Sequence, residues 1–414
     1  MTQEFTLVFL CVFSLTLLGR LWLKWRHIRY VSGHRDRVPG EFAESISLAA
    51  HQKAAAYTVD RSKTALVATL IEFALLLALT LGGGLNALHE FWSSHLSGLP
   101  YGLALIFSVM AISALIDLPL SLYSQFVIEA RHGFNRMTLG LFISDHVKQA
   151  ILGIAIGTPV ILAVLWLMGA MGERWWLYVW LFWCSFNLLI LFIFPTWIAP
   201  LFNKFEPLAD GEMKTRIEAL LGRCGFTSSG LFVMDGSKRS SHGNAYFTGF
   251  GNHKRIVFFD TLLGRLSPGE VEAVLAHELG HFRKKHIVKR IALMFAGSLA
   301  LLWLLGQLIN APWFYQGLGV SGQNTALALI LFFLIAPVFT FPLAPVSSLL
   351  SRRNEFEADA YATEHASADD LARALVKLYD DNASTLTPDP LHSLVYDSHP
   401  PAAQRIARLH TARA

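Results

Sequence analysis

Long apolar blocks separated by polar stretches dominate the pattern along this chain. A helix needs about 20 apolar residues to cross a bilayer. Seven blocks meet that length: Phe5–Leu23, Thr64–Leu85, Gly102–Phe126, Ala150–Met171, Trp175–Trp197, Ile287–Ile309 and Thr325–Leu350. Pro337, Pro342 and Pro345 in the last block predict a kink. The first block has no basic stretch before it, because Met1–Glu4 is neutral to acidic, so it reads as a retained span rather than a cleaved signal. The polar remainder falls into two sizeable pieces, 198–286 and 351–414. The expected organisation is therefore 1–197 with spans one to five, 198–286, then 287–350 with spans six and seven, then 351–414. No internal repeat or low-complexity tract is present.

Composition agrees with this pattern. The chain has 414 residues, of which 53% are hydrophobic and 15% charged. Soluble domains carry about 25% charged residues, so a soluble enzyme, a nucleic-acid binder and a disordered chain are disfavoured. The formal net charge of +4 says less than its distribution. Lysine and arginine crowd the segment after span one, the loop after span three, segment 198–286 and the tail that begins Ser351-Arg352-Arg353. The alternate loops 83–100 and 310–324 contain neither. The positive-inside rule then puts the amino terminus outside and both polar pieces in the cytoplasm. Cys11, Cys184 and Cys224 show no paired spacing, so no disulfide framework is expected.

The first polar piece contains His277-Glu278-Leu279-Gly280-His281, the pattern HExxH. Positions four apart share a helix face, so His277 and His281 can offer ring nitrogens to one Zn²⁺. Glu278 can take a proton from water at the metal and pass it to a leaving amine. Ser267-Pro268-Gly269-Glu270 supplies a cap, a proline and a first-turn acid for that helix. A catalytic zinc needs a third protein ligand. The second polar piece offers Glu355 and Asp359, also four apart. One could bind metal while the other supports a ligand histidine. Spacing does not decide which.

The chain resembles the type 1 CaaX prenyl protease family of integral-membrane zinc endopeptidases. The resemblance rests on Glu129–Asn135, Ile198–Phe205, Ser241–Phe247, Lys254–Leu262, the HExxH block, Asn354–Ala362 and Ser398-His399-Pro400-Pro401, in that order. It implies seven transmembrane helices enclosing a water-filled chamber, with a small α+β zinc-protease domain on the cytoplasmic side. It further implies that Glu355 is the third ligand of one zinc per chain, and Asp359 the supporting acid. His399 would face the metal and stabilise the oxyanion, and Arg405 would pair with a ligand carboxylate.

Asn244–Phe250 and Arg255–Phe259 read as a hairpin turning at Gly251-Asn252. An edge strand can pair with an extended peptide, and the family places substrate binding at Asn244, Ala245 and Tyr246. His286 lies five positions beyond His281, so it points away from the metal face and reads as structural or interfacial. Glu72 and Asp117 lie within spans, where a charge faces protein or water. They line the chamber or, as the alternative, pair with Arg20.

The expected function is zinc-dependent hydrolysis of peptide bonds near the carboxyl terminus of substrates, prenylated or not, within a lipid bilayer and without nucleic acid. A broader membrane-protein quality-control protease and a non-enzymatic seven-span receptor or transporter are the alternatives. The short loops point to a bacterial inner membrane, or to the endoplasmic reticulum if the host is eukaryotic.

Overall fold

The computed structural model describes residues 1–248 and 253–411. In chain order the first helices are α1 (Thr2–Gly33), α2 (Leu48–Leu79), α3 (Gly84–Ser93), α4 (Gly98–Tyr123), α5 (Leu139–Ala170) and α6 (Trp175–Ile193). Then come β1 (Phe205–Pro207), α7 (Glu212–Arg223), β2 (Thr227–Met234), β3 (Ala245–Thr248), β4 (His253–Phe259), α8 (Asp260–Leu263) and α9 (Pro268–Arg283). The chain continues through α10 (His286–Leu308), α11 (Pro312–Gln316), α12 (Thr325–Thr340), α13 (Ala344–His365), α14 (Ala368–Asp381), α15 (Pro390–Tyr396) and α16 (Ala402–Thr411).

Among the described residues seven helices are long and apolar enough to cross a membrane, matching the seven apolar blocks. Several outrun those blocks. α2 starts at Leu48 rather than Thr64, because Ser47 caps it and no glycine or proline interrupts the polar turns that follow. Those turns carry Tyr57, Asp60 and Arg61 beyond the apolar zone. The kink expected in the last block is present as a break. α12 ends at Thr340, a short 3-10 turn covers Phe341–Leu343, and α13 resumes at Ala344. Pro342 and Pro345 lie at this joint, where their missing N–H groups cost least.

The polar portion is built around a four-stranded sheet of order β1-β2-β4-β3. β2 and β4 run parallel, while β1 and β3 pair antiparallel at the two edges. β3 and β4 pair as the expected hairpin, though its turn at Gly251-Asn252 lies outside the described residues. Ile217, Leu220, Ile256, Phe258, Leu275, Leu279 and Leu371 join the sheet, α7, α9 and α14 in one buried core. The seven long helices have a separate core that includes Phe9, Leu105, Leu305 and Leu327.

Two family motifs tie the portions together. Arg239 donates to Asp145 on α5 at 2.8 and 3.0 Å, to Asn203 Oδ1 at 2.7 Å and to the Phe202 carbonyl at 2.7 Å. Glu129 accepts from Tyr57 Oη on α2 at 2.6 Å and lies 3.5 Å from His242 Nε2. Of the intramembrane acids, Glu72 takes the pairing alternative and accepts two hydrogen bonds from Arg20 at 2.9 and 2.8 Å. Asp117 lies exposed on α4.

Candidate metal centre

α9 begins with a complete capping box. Ser267 accepts from the Glu270 N–H, and Glu270 Oε2 accepts from the Ser267 N–H at 2.8 Å. Lys377 on α14 donates to the same carboxylate at 2.7 Å. Burial alone would raise the Glu270 pKa, but these partners hold it below the ordinary glutamate range. The start of the histidine-bearing helix is thus fixed by its own capping hydrogen bonds and by the charge of Lys377 on α14.

Gly280 then decides how closely α13 approaches. A Cβ at Gly280 would lie 3.0 Å from Ala358 Cα and 3.1 Å from its carbonyl oxygen, so only glycine permits this crossing without a shift. One helical turn before the crossing, His277 on α9 meets Glu355 on α13. The second half of HExxH therefore does two jobs, since it supplies His281 and opens the space that brings Glu355 in.

His277, His281 and Glu355 offer three ligand atoms that all lie within 4.8 Å of one another. The two Nε2 atoms are 3.3 Å apart, and each is 3.4 Å from a Glu355 oxygen. Glu355 Oε2 is buried and, among the described residues, makes no hydrogen bond. Two imidazoles and one carboxylate converging in this way suit a zinc ion. The residues present therefore fit a metal ion.

Behind the ligands lies a hydrogen-bonded chain. His277 Nδ1 is 2.8 Å from Asp359 Oδ1. Arg405 on α16 grips Asp359 through Nη2 at 2.6 Å and Nε at 2.9 Å, and its Nη1 lies 3.6 Å from Glu355 Oε2. His277, Glu355, Asp359 and Arg405 are all at most 6% exposed. Burial opposes the Arg405 charge, but Asp359 and Glu355 outweigh it and raise the guanidinium pKa further.

The other candidates fall around this cluster. Glu278 is half-buried, and no described residue pairs with its carboxylate. His399 is exposed, with Nε2 at 3.4 Å from Glu355 Oε1. Asn244 is exposed and its Oδ1 accepts from the Ala245 N–H at 2.8 Å, beside edge strand β3. Ala245 and Tyr246 lie on that strand, and the next residue, Phe247, packs against Phe282 of α9.

One expectation is corrected. His286 does not point away from the cluster, because its Nδ1 lies 3.0 Å from His281 Nδ1. Its Nε2 is 3.1 Å from Glu357 Oε2 on α13. The helical-wheel argument failed because α9 ends at Arg283 and Lys285 adopts a left-handed conformation with φ 58°. The resulting turn swings His286 back over His281. Glu357 was missed as well, although its spacing two residues beyond Glu355 gave no signal.

Comparisons with known proteins bear on this geometry. A family model for the CAAX prenyl protease N-terminal region, five membrane helices, matches residues 27–204. A model for peptidase family M48 matches residues 207–413. The chain is 36% identical over 387 residues to a CAAX prenyl protease 1 homolog of Arabidopsis thaliana, covering 89% of each. It is 39% identical over 315 residues to CAAX prenyl protease 1 of Saccharomyces cerevisiae, covering 72% of this chain and 70% of that one. The crystal structure of S. mikatae Ste24p superposes with a TM-score of 0.91 at 32% identity, covering 98% of this chain and 99% of the other.

Proposed function

This chain belongs to peptidase family M48, in its CAAX prenyl protease branch, and from that premise we propose that it cuts prenylated proteins near their carboxyl terminus with one zinc held by His277, His281 and Glu355. It is a multi-pass membrane metalloprotease. The receptor and transporter reading finds no support in a chain that matches a peptidase family along its second half.

When bound, the zinc supplies a Lewis acid that acidifies water and polarises a scissile carbonyl. Glu278, adjacent to His277 and without a competing partner among the described residues, removes the proton from the attacking water and returns it to the leaving amine. His399, 3.4 Å from Glu355, donates a hydrogen bond to the developing oxyanion. Asp359 is committed to His277 and Arg405, so it holds the imidazole in the tautomer whose Nε2 lone pair faces the cluster. Arg405 balances the two buried carboxylates. The edge of β3 at Asn244, Ala245 and Tyr246 receives the substrate as an added strand. The lysine and arginine asymmetry of the loops puts this site in the cytoplasm and the amino terminus outside.

The observation that carries this reading is the convergence of three ligand atoms, one each from His277, His281 and Glu355, with Glu278 unpaired among the described residues. Glu278→Gln tests it. Cleavage of a farnesylated CaaX peptide falls about 10²–10⁴-fold, while zinc stays at about one per chain. Retained cleavage in the variant would sink the assignment.

A further inference from the structure

Five of the long helices close into a ring. α4 packs on α5, α5 on α6, α6 on α10, α10 on α12, and α12 returns to α4. These helices line a half-open cavity of about 690 Å³, within the ~300–1,000 Å³ range of small-molecule sites. Met110, Val164, Trp183, Leu301 and Phe333 are among its walls, and no charged side chain lines it. Ser298 spends its hydroxyl on the Phe295 carbonyl at 2.9 Å, so no unmet polar group asks for water.

Beyond the cavity, on the side away from the metal cluster, two glycines mark close approaches of the surrounding helices. At Gly102 a Cβ would lie 2.7 Å from Leu165 Cδ1 and 3.3 Å from Ala326 Cβ, so α4, α5 and α12 meet there. At Gly306 it would lie 2.9 Å from Trp176 Cδ1, so α10 and α6 meet there. On the other side, α10 runs from His286 at the metal cluster to the cavity wall. Asp117 lies seven positions after Met110, on the same face of α4 and about 10 Å nearer the cluster. An exposed carboxylate at that depth belongs to a wet interior rather than to lipid. The interior face of α4 thus turns from acidic to apolar with distance from the site.

We propose that this apolar cavity seats the isoprenoid chain of the substrate, an inference that rests on the CaaX-type reading above. The reach supports it. α10 starts at His286, which touches His281, and rises 1.5 Å per residue. Met294 is then about 12 Å and Leu302 about 24 Å from the cluster. A farnesyl chain extended at about 1.25 Å per bond reaches about 17 Å from its cysteine Cα, and a geranylgeranyl chain about 22 Å. Both tips fall within the depth spanned by those two residues. The cavity gives no hydrophobic advantage over lipid, since both are apolar. Its effect is positional: it draws the modified cysteine, and with it the scissile bond, to the cluster.

Gly297 provides the test, because it lines the cavity and a Cβ there meets nothing within 4 Å. Gly297→Trp fills the space, and Gly153→Trp, an equal bulk on the exposed surface of α5 outside the cavity lining, is the control. With Gly297→Trp, kcat/KM for a farnesylated CaaX peptide drops about tenfold or more, and a geranyl peptide, about 5 Å shorter, recovers most of the loss. Gly153→Trp leaves both peptides near the wild-type rate. Equal losses for the two chain lengths, or no loss, would overturn the proposal. In the wild-type protein, a farnesyl peptide carrying a terminal diazirine labels Met294, Gly297 or Leu301. Labelling of lipid-facing residues alone, or a phospholipid that stays in the cavity when the peptide is added, overturns it independently of cleavage. If the wild-type protein binds the probe in the cavity yet Glu278→Gln cleaves normally, the protease assignment fails and the cavity assignment stands.

Discussion

Asp359→Asn isolates the hydrogen-bonded chain behind the metal cluster, because asparagine keeps the shape and removes one charge and one acceptor. Asp359 Oδ1 takes both His277 Nδ1 at 2.8 Å and Arg405 Nη2 at 2.6 Å, while Oδ2 takes Arg405 Nε at 2.9 Å. An asparagine has a single oxygen for these demands. With the oxygen kept at the Oδ1 position, its NH₂ opposes Arg405 Nε donor to donor. With the amide flipped, the NH₂ donates to His277 Nδ1 and moves the imidazole proton to Nε2, where it blocks the metal lone pair. Either way a charge-assisted hydrogen bond worth about 1.5–3 kcal/mol is lost. Arg405 keeps only Glu355, at 3.6 Å, as a countercharge. Breaking a buried ion pair costs about 3–5 kcal/mol, so the metal-free variant loses stability of that order. Its zinc affinity falls about 10–100-fold. Competition with a chromophoric chelator in detergent reads the affinity, and thermal unfolding of the chelated protein reads the stability. Zinc binding and melting both at wild-type levels would refute the reasoning, because they would mean the Asp359 charge is dispensable.

Further outcomes follow from neighbouring contacts. Gly280→Ala forces α9 and α13 apart at Ala358, and it should cost about 1–3 kcal/mol in thermal unfolding and weaken zinc binding; an unchanged melt would mean the crossing is loose. His286→Phe keeps the ring but removes both hydrogen bonds to His281 and Glu357, so zinc affinity should fall about tenfold by chelator competition, and an unaltered affinity would make His286 a packing residue. Glu270→Gln should remove about 1.5–3 kcal/mol, read as a lower melting temperature. The Glu270 pKa is lowered in the folded protein, so its contribution is present above the unfolded carboxylate range of about 4.3 and is lost as pH falls below that. The melting difference between wild type and Glu270→Gln should therefore shrink on acidification, and a difference that grows would reverse the sign of the argument.

The sequence made the seven helices and the HExxH pair legible because both rest on local periodicity. Apolar runs of bilayer length and two histidines four apart need no knowledge of distant chain. Helix ends were less legible: α2 begins well before its apolar block because the helix continues through polar residues that nothing interrupts. The Arg20–Glu72 pair stayed open in the sequence because either partner could have faced water. Arg239 and Asp145 gave no signal at all, since 94 residues separate them and their pairing exists only once α5 meets the polar portion.

His286 marks the boundary between the two kinds of knowledge. Five positions after His281 on an unbroken helix it would lie about 140° around the axis, a rotation set by 3.6 residues per turn. That inference is sound only while the helix lasts. Lys285, at φ 58°, pays a strain of about 1 kcal/mol and ends the periodicity at the residue that matters. The strain is offset by what the turn achieves, because His286 then bridges His281 to Glu357 and α10 departs from the cluster directly into the helix ring. A basic run, Arg283-Lys284-Lys285, is thus also a hinge that couples the metal ligands to the wall of the apolar cavity. Lys285→Gly would relieve the strain without moving His286, so it should leave zinc affinity unchanged and raise stability slightly, whereas Lys285→Pro, whose φ is locked near −65°, should lose both.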